Sequence, residues 1–156
     1  MAYLMTDEKK YADKLKEILL DVIKEDTWGS EEMLARIPVW RADLGLAHKA
    51  YLSAIAYDAV YNDLSSSERK EIAEGLKRLA LDPCLGDWVL EPARIHSLNS
   101  MGHNWWTSCA CMGGILALSL QNELPEAKQG GEGVYAAGPE GVDCAGDGWP
   151  LVAVRV

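Results

Sequence analysis

Two stretches of this chain have the composition of helices that are apolar on almost every side. In the first, residues 42–61, the apolar and small side chains are Leu44, Leu46, Ala47, Ala50, Tyr51, Leu52, Ala54, Ile55, Ala56, Tyr57, Ala59 and Val60. In the second, residues 104–122, they are Cys109, Ala110, Met112, Ile115, Leu116, Ala117, Leu118 and Leu120. A helix that is apolar on most sides is buried on most sides. Both helices therefore need other parts of a protein around them.

Gly113 and Gly114 lie in the middle of the second apolar helix. Each glycine in a helix interior costs about 1 kcal/mol relative to alanine. A helix packed at close range is the simplest compensation, so we expect one beside this pair.

Two other stretches have the pattern of amphipathic helices. Residues 7–25 repeat apolar side chains at helical spacing, and Thr6 or Asp7 is expected to cap this helix. The next amphipathic helix begins with a capping box formed by Ser65 and Glu68. Its apolar stripe consists of Ile72, Leu76 and Leu79. Each of these helices has one face for the core and one for water.

The four helices alternate along the chain between outer, amphipathic and inner, apolar character. We therefore predict an all-α fold of helical hairpins in two layers, similar to an α/α-toroid. With two hairpins the toroid is incomplete. The chain is accordingly interpreted either as part of a larger toroid with a missing C-terminal region or as a protein that buries its inner helices in a homo-oligomer.

The segments between and after these helices look irregular. Asp82-Pro83 is expected to end the third helix, because the residue before a proline disfavours helical geometry. Residues 83–103 are then predicted to be mainly irregular. We place the domain boundary at residue 129: residues 1–129 form the toroid fragment, and residues 130–156 form a glycine-rich, irregular tail with a short strand near its end. The abrupt change suggests a tail that departs from the parent protein.

Composition excludes several functions. A formal net charge of −9 argues against a general nucleic-acid binder, which needs clustered Lys and Arg. The 156-residue chain has no apolar run of about eighteen residues, so no membrane span is expected, and no signal peptide is visible. Its four cysteines lack the paired spacing of a zinc site. We predict buried thiols, no metal and no cofactor.

Residues 101–106 combine a histidine, a carboxamide and two indoles at the start of an apolar helix. Helix starts carry unpaired N–H groups and attract anions. Flat indole faces suit sugar rings. Asn104 and His103 are therefore the candidate catalytic residues. The candidate substrate-binding residues are Trp105, Trp106, His96 and Arg94.

Structural interpretations of these residues remain open. Asn104 is also a good helix cap. Trp105 and Trp106 differ by one position and cannot share a helix face, so one is expected in the core and the other in a cleft. His96 and Arg94 fit a solvated loop equally well.

Residues 39–128 resemble the first half of the toroid of heparinase II/III-type polysaccharide lyases. The resemblance depends on an ordered set of segments: Trp40-Arg41-Ala42-Asp43-Leu44-Gly45, Ile55-Ala56-Tyr57-Asp58-Ala59-Val60-Tyr61-Asn62, Leu64-Ser65-Ser66-Ser67-Glu68-Arg69 and His103-Asn104-Trp105-Trp106. It implies β-elimination on a polysaccharide containing uronic acid, such as a glycosaminoglycan or alginate, by a periplasmic or secreted parent protein.

The resemblance also implies residue roles. Asn104 would neutralise the uronate carboxylate, on which charge develops during elimination. His103 would assist as donor or base. The family's catalytic tyrosine lies in a later hairpin without a counterpart here, because Tyr135 stands in the glycine-rich tail. The chain by itself is therefore expected to be an incomplete enzyme.

Two rival functions are compatible with the same sequence. A toroid glycoside hydrolase needs two facing carboxylic acids, for which Asp43, Asp58 and Asp87 are candidates. A carbohydrate-binding or structural fragment would use the same cleft without turnover. Tyr57 and Asp58, in mid-helix, are expected to serve packing and a buried hydrogen bond.

Overall fold

The computed structural model describes residues 2–90, 104–128 and 130–134, and this part of the chain contains helices and no strand. The α-helices are α1 (Ala2–Thr6), α2 (Lys9–Val22), α3 (Glu31–Leu34), α4 (Leu44–Val60), α5 (Ser66–Leu76), α6 (Asp82–Trp88) and α7 (Asn104–Leu120). A 3₁₀ turn follows α4 at Tyr61–Asp63, and a π-helical segment, Lys77–Leu81, joins α5 to α6. The prediction of an all-α fold is confirmed for these residues.

The two apolar helices pack side by side and run parallel. Near their starts, the Cys109 thiol of α7 donates to the carbonyl of Asp43, the residue before α4, at 3.5 Å. Further along, the Ser119 hydroxyl of α7 donates to the Asp58 carboxylate of α4 at 3.3 Å. The two amino ends therefore lie at the same end of the pair.

The amphipathic helices lie beside each other and antiparallel to the apolar pair. The Lys16 ammonium of α2 contacts the Glu68 carboxylate of α5. Arg78, in the π-helical segment, donates to the carbonyls of Ile23, Glu25 and Asp26 just after α2. At the far end, the Tyr3 hydroxyl donates to the Asp63 carboxylate at 2.8 Å.

The first predicted helix, residues 7–25, corresponds to α2, which begins at Lys9, and a separate short helix, α1, precedes it, so the expected start at residue 7 and the Thr6 or Asp7 cap were wrong. Asp7 has a φ of 54°, in the left-handed region that ends a right-handed helix. The Thr6 hydroxyl donates to the Ala2 carbonyl at 2.9 Å, within the last turn of α1. The residue that precedes α2 is Glu8, whose side chain makes no capping bond.

The predicted capping box is confirmed, but the predicted end of the third helix was wrong. The Ser65 hydroxyl accepts from the Glu68 backbone, and the Glu68 carboxylate accepts from the Ser65 backbone. At the other end the chain continues through the π-helical segment into α6, so residues 83–88 are helical instead of irregular. Wider π turns alter the backbone hydrogen bonds in the region where Pro83 lacks an N–H, which lets the helix pass the proline.

Residues 125–128 and 130–134 are helical, which corrects the prediction that the chain becomes irregular at residue 130. Close packing explains why glycines are accepted there. A Cβ on Gly130 would lie 2.4 Å from Leu85 Cδ1 of α6, and one on Gly114 would lie 3.0 Å from Val134 Cγ1. The predicted strand near the end of the tail lies outside the described residues.

The close neighbour expected at Gly113-Gly114 is present. A Cβ on Gly113 would lie 2.7 Å from the Cβ of Cys84, so α6 and α7 approach more closely than an alanine would permit. The core between the layers includes Tyr57, Ile72, Trp88 and Leu116, all fully buried.

Candidate functional site

The amino ends of α4 and α7 form one end of the inner pair. Asn104 is the first residue of α7 and is exposed to solvent. Asp43 precedes α4, and its carboxylate accepts from the backbone N–H of Leu46 at 2.8 Å. This end therefore carries the partial positive charge of two parallel helices, with one of the two amino ends already capped by a carboxylate.

Trp106 is the core member of the Trp105-Trp106 pair. Its side chain is 6% exposed, and its Nε1 donates to the backbone carbonyl of Trp88 at 2.8 Å. Trp105 is half-buried at the margin of the core. Trp106 is therefore the indole expected in the core, and the expectation that Trp105 lines a cleft stays a prediction.

Trp105 belongs to a cluster with Trp40, a half-buried residue just before α4. The two rings meet edge to face with centroids 6.0 Å apart, and Trp40 has a second such contact with Trp88 at 6.2 Å. Edge-to-face contact with short distances holds aromatic rings in defined orientations. The fold thus brings together two segments, 40–45 and 104–106, that are about sixty residues apart in the chain.

Two arginines flank Trp40. The Arg36 guanidinium lies over the Trp40 ring at 4.4 Å from its centroid and pairs with the Glu32 carboxylate at 3.3 Å. Arg41 pairs with Asp87 of α6 through Nε at 2.8 Å and Nη2 at 2.6 Å. Sequence reasoning missed both arginines as site residues. The available signal for Arg41 was its position in segment 40–45, which carries part of the resemblance to the polysaccharide lyases.

Asp87 is buried at 1% exposure and has more partners than Arg41 alone. Its Oδ2 accepts hydrogen bonds from the backbone N–H groups of Arg41 and Ala42. The next residue of α6, Trp88, donates from Nε1 to the Ala42 carbonyl at 3.0 Å. These bonds fix the segment before α4 against α6.

Three predicted site residues, His103, His96 and Arg94, lie outside the described residues. Of the candidates inside them, the structure brings Asn104, Trp105 and Trp106 to the same end as Trp40. The site is therefore described through its carboxamide, its indoles and its arginines.

A second polar cluster lies at the opposite end of the inner helices. The hydroxyls of Tyr57 and Tyr61 donate to the two oxygens of Glu123 at 2.8 and 2.7 Å. The Arg69 guanidinium lies over the Tyr61 ring at 4.2 Å. Burial and the hydrogen bond to Glu123 raise the pKa of Tyr57. The buried hydrogen bond expected for Tyr57 is present, whereas Asp58 is exposed.

Each of the three candidate carboxylates of a glycoside hydrolase has another partner in the fold. Asp43 caps α4, and Asp87 is held by Arg41 and two backbone N–H groups. Asp58 lies further along α4, on Ser119. A hydrolase needs two carboxyl groups within several ångströms across one bond, and these three serve other partners.

Of the three thiols in the described part of the chain, two belong to core residues, whereas Cys111 is exposed, so the prediction of buried thiols was wrong for Cys111. Cys84 and Cys109 are fully buried. Burial raises the pKa of Cys84 well above its ordinary value and that of Cys109 to about 12, so neither is a thiolate at neutral pH. Within ranges 2–90, 104–128 and 130–134 no group of His, Cys, Asp and Glu side chains is arranged to hold a metal ion.

Comparisons with family models, with curated protein sequences and with solved structures gave no match to this chain. Among its described helices, none combines the length and the apolar composition needed to cross a bilayer.

Proposed function

We propose that this chain belongs to a polysaccharide lyase that cleaves uronic-acid-containing polysaccharide by β-elimination. Its two hairpins would be part of an α/α-toroid, and the cluster of Asn104, Trp40 and Trp105 would hold the acidic sugar. The parent protein would act in the periplasm or outside the cell, where such polysaccharides are found.

One observation carries the proposal: Trp40 and Trp105 meet at 6.0 Å beside exposed Asn104, at the amino end shared by two parallel helices. Asn104 offers a carboxamide N–H where the helix also contributes partial positive charge. A bound carboxylate would be stabilised both by a hydrogen bond from the carboxamide and by the partial positive charge of the helix. The neighbouring indoles offer apolar surface to the sugar ring, so the charged and apolar parts of a uronate each have a partner.

The chemistry assigned to these residues is charge neutralisation. Removing the C5 proton of a uronate shifts negative charge onto its carboxylate, and a donor placed there stabilises that charge in the transition state. Asn104 would supply this donor, and His103 would assist as donor or base. Proton transfer to the leaving oxygen is assigned to a residue of a later hairpin.

A carbohydrate-binding function without turnover is the second candidate. Its support is the position of Tyr57 and Tyr61, whose hydroxyls are bound to Glu123 at the end opposite Asn104. Hydroxyls held there do not reach a sugar at Asn104. On this alternative, the indoles and the carboxamide bind an acidic oligosaccharide and the chain performs no elimination.

Calorimetry with a mannuronate hexamer tests the shared part of both candidates. The chain should bind, and Asn104→Ala should weaken binding about tenfold, the loss expected for a hydrogen bond to a charged group. Asn122→Ala is a matched control, since Asn122 is an exposed carboxamide just after the carboxyl end of the same helix. Equal affinity in all three proteins contradicts the role of Asn104.

Ultraviolet absorbance of the unsaturated product separates the two candidates. A lyase assignment predicts a double bond when a longer parent protein is mixed with heparin, alginate or chondroitin, and loss of that product in its Asn104→Ala variant. Binding without product in the parent would favour the carbohydrate-binding function.

A further inference from the structure

Arg41 is an exposed cation held by a buried carboxylate. Its side chain is 44% exposed, whereas that of Asp87 is 1% exposed. Nε and Nη2 are bound to Asp87 Oδ1, and no described residue accepts a hydrogen bond from Nη1. A guanidinium fixed along one edge keeps its remaining N–H donors in a set direction.

Asp87 does not depend on Arg41 alone for compensation. Two backbone N–H groups, those of Arg41 and Ala42, also donate to its Oδ2. The carboxylate is thus shared among three groups, and the guanidinium is only partly neutralised by it. Of the nearby carboxylates, Asp43 is turned to the backbone of α4, where it accepts from Leu46.

Gly86 leaves room for this guanidinium. A Cβ at position 86 would lie 2.6 Å from Arg41 Nη2, closer than real contacts allow. An alanine there would push the guanidinium away without altering any charge. Gly86 therefore allows the guanidinium of Arg41 to lie close to α6, and Asp87 fixes the direction in which that guanidinium points.

Arg41 borders the same aromatic pair as Asn104. It follows Trp40 in the chain, just as Trp105 follows Asn104, and the two rings are 6.0 Å apart. Asp87 and Trp88 contact Arg41 and Trp40 respectively, so two successive residues of α6 fix both parts of the segment. A saccharide lying on the indoles would therefore have a donor next to each of them in the chain, Asn104 beside Trp105 and Arg41 beside Trp40.

We propose that Arg41, oriented by Asp87 and accommodated by Gly86, binds a second acidic group of the saccharide, so that the site takes chains with acidic groups on neighbouring sugars. This inference rests on the proposed function and adds a specificity-determining residue to it. Guanidinium groups suit carboxylate and sulfate through paired, charge-assisted hydrogen bonds.

Calorimetry on three oligosaccharides tests the proposal: a mannuronate hexamer, with an acid on every sugar, a hyaluronan hexamer, with an acid on every second sugar, and a neutral glucose hexamer. Gly86→Ala should weaken the affinity for the mannuronate hexamer about tenfold and change the affinity for the other two hexamers less than about twofold. Arg41→Lys keeps the charge but loses the planar fork of donors, so it should change the three affinities in the same way.

Two controls separate position from composition. Gly131→Ala adds the same methyl group to a helix where the nearest side-chain atom would be 3.8 Å away, so affinity should not change. Lys9→Gln removes a cation from the start of α2, at the end of the fold opposite Asn104, where its partner Asp13 is exposed, and should cost less than about twofold. Circular dichroism of each variant confirms that it is folded.

The remaining outcomes are distinct. If the mannuronate hexamer binds Gly86→Ala and Arg41→Lys as tightly as the wild type while Asn104→Ala binds weakly, the role of Arg41 is wrong and the proposed function stands. An equal loss for mannuronate and hyaluronan would refute the requirement for neighbouring acids. If the wild type binds none of the acidic hexamers at about 1 mM, both proposals fail.

Discussion

The indole of Trp106 donates a hydrogen bond to the backbone carbonyl of Trp88 at 2.8 Å, in a position where the Trp106 side chain is 6% exposed. Trp88 is itself fully buried and is the last residue of α6. Since the final carbonyls of a helix lack partners inside it, this bond satisfies a group that would otherwise be buried and unpaired. It also ties the start of α7 to the end of α6.

Trp106→Phe should therefore destabilise the protein more than Trp28→Phe, a change at a tryptophan that is equally buried, with 6% exposure. Phenylalanine lacks the N–H donor and leaves the Trp88 carbonyl unsatisfied, at an additional cost of about 2 kcal/mol in the free energy of unfolding. The Nε1 of Trp28 has no acceptor among the described residues, so Trp28→Phe loses ring volume without losing a hydrogen bond. Urea unfolding measures both variants, and an equal loss would contradict the role of the Trp106 hydrogen bond.

Gly113→Ala should lower the free energy of unfolding by about 1–3 kcal/mol, because the new Cβ would meet Cys84 Cβ and force α6 and α7 apart. Gly131→Ala is the control: its Cβ would make ordinary contact at 3.8 Å, and removing a helix glycine should stabilise by about 0.5–1 kcal/mol. Chemical denaturation should show a lower free energy of unfolding for Gly113→Ala and a higher one for Gly131→Ala. Destabilisation of equal size in both variants would refute the packing argument.

Asp87→Ala should lower the free energy of unfolding by about 3–5 kcal/mol. It leaves Arg41 without its partner and two backbone N–H groups without an acceptor. Asp58→Ala removes an exposed carboxylate whose partner Ser119 also donates to the Ile115 carbonyl, so it should cost less than about 1 kcal/mol. Thermal unfolding compares them, and similar midpoints would argue against the tie between α6 and the segment before α4.

Stability should fall at alkaline pH through Tyr57. Burial, followed by the hydrogen bond to Glu123, raises the pKa of Tyr57 above its ordinary value of 10.0. The folded state then keeps the phenol neutral while the unfolded state ionises. The contribution is complete below pH 10 and is lost as the pH rises further, by less than about 1.4 kcal/mol per pH unit.

The comparison with Tyr57→Phe isolates this effect, since the buried thiols of Cys84 and Cys109 change stability in the same direction and are present in both proteins. The advantage of the wild type over the variant should fall steadily between about pH 10 and pH 12. Parallel stability curves over that range would show that Tyr57 does not titrate differently in the two states.

Thiol labelling should distinguish the cysteines by position. Among the three cysteines that the structure describes, Cys111 is exposed on α7, whereas Cys84 and Cys109 lie in the core. Burial raises the pKa of all three thiols, to about 12 for Cys109 and well above the ordinary value for Cys84. Iodoacetamide at neutral pH should modify Cys111 in the native protein and reach the other two only after denaturant is added. Peptide mass spectrometry reads the order, and native modification of Cys84 would contradict its burial.

The hydrophobic pattern was sufficient to predict two apolar helices, α4 and α7, that pack side by side, although Leu52, Ile115 and Leu118 on them are exposed instead of buried. An apolar circumference marked α4 and α7 as inner helices, and the capping box at Ser65 and Glu68 fixed the start of α5. Gly113 and Gly114 correctly indicated that another helix packs closely against α7. Each of these signals is local, because helix periodicity and capping act within a few residues.

Other features depended on contacts that no local pattern encodes. Sequence reasoning ended a helix at Pro83, but the π-helical segment carries the chain past it into α6, and Gly130 is helical against Leu85. Glu123 was overlooked because its partners, Tyr57 and Tyr61, are more than sixty residues away.

The sequence by itself determined the helical class, the alternation of outer and inner helices and the composition of the Asn104 motif, since these follow from the order of apolar and polar side chains. Only the tertiary structure decided that α4 and α7 run parallel, that Trp40 meets Trp105, and that Asp87 holds Arg41. The physical reason is that hydrophobic burial is non-directional, so it selects which faces pack, while specific long-range hydrogen bonds and ring contacts select which residues meet.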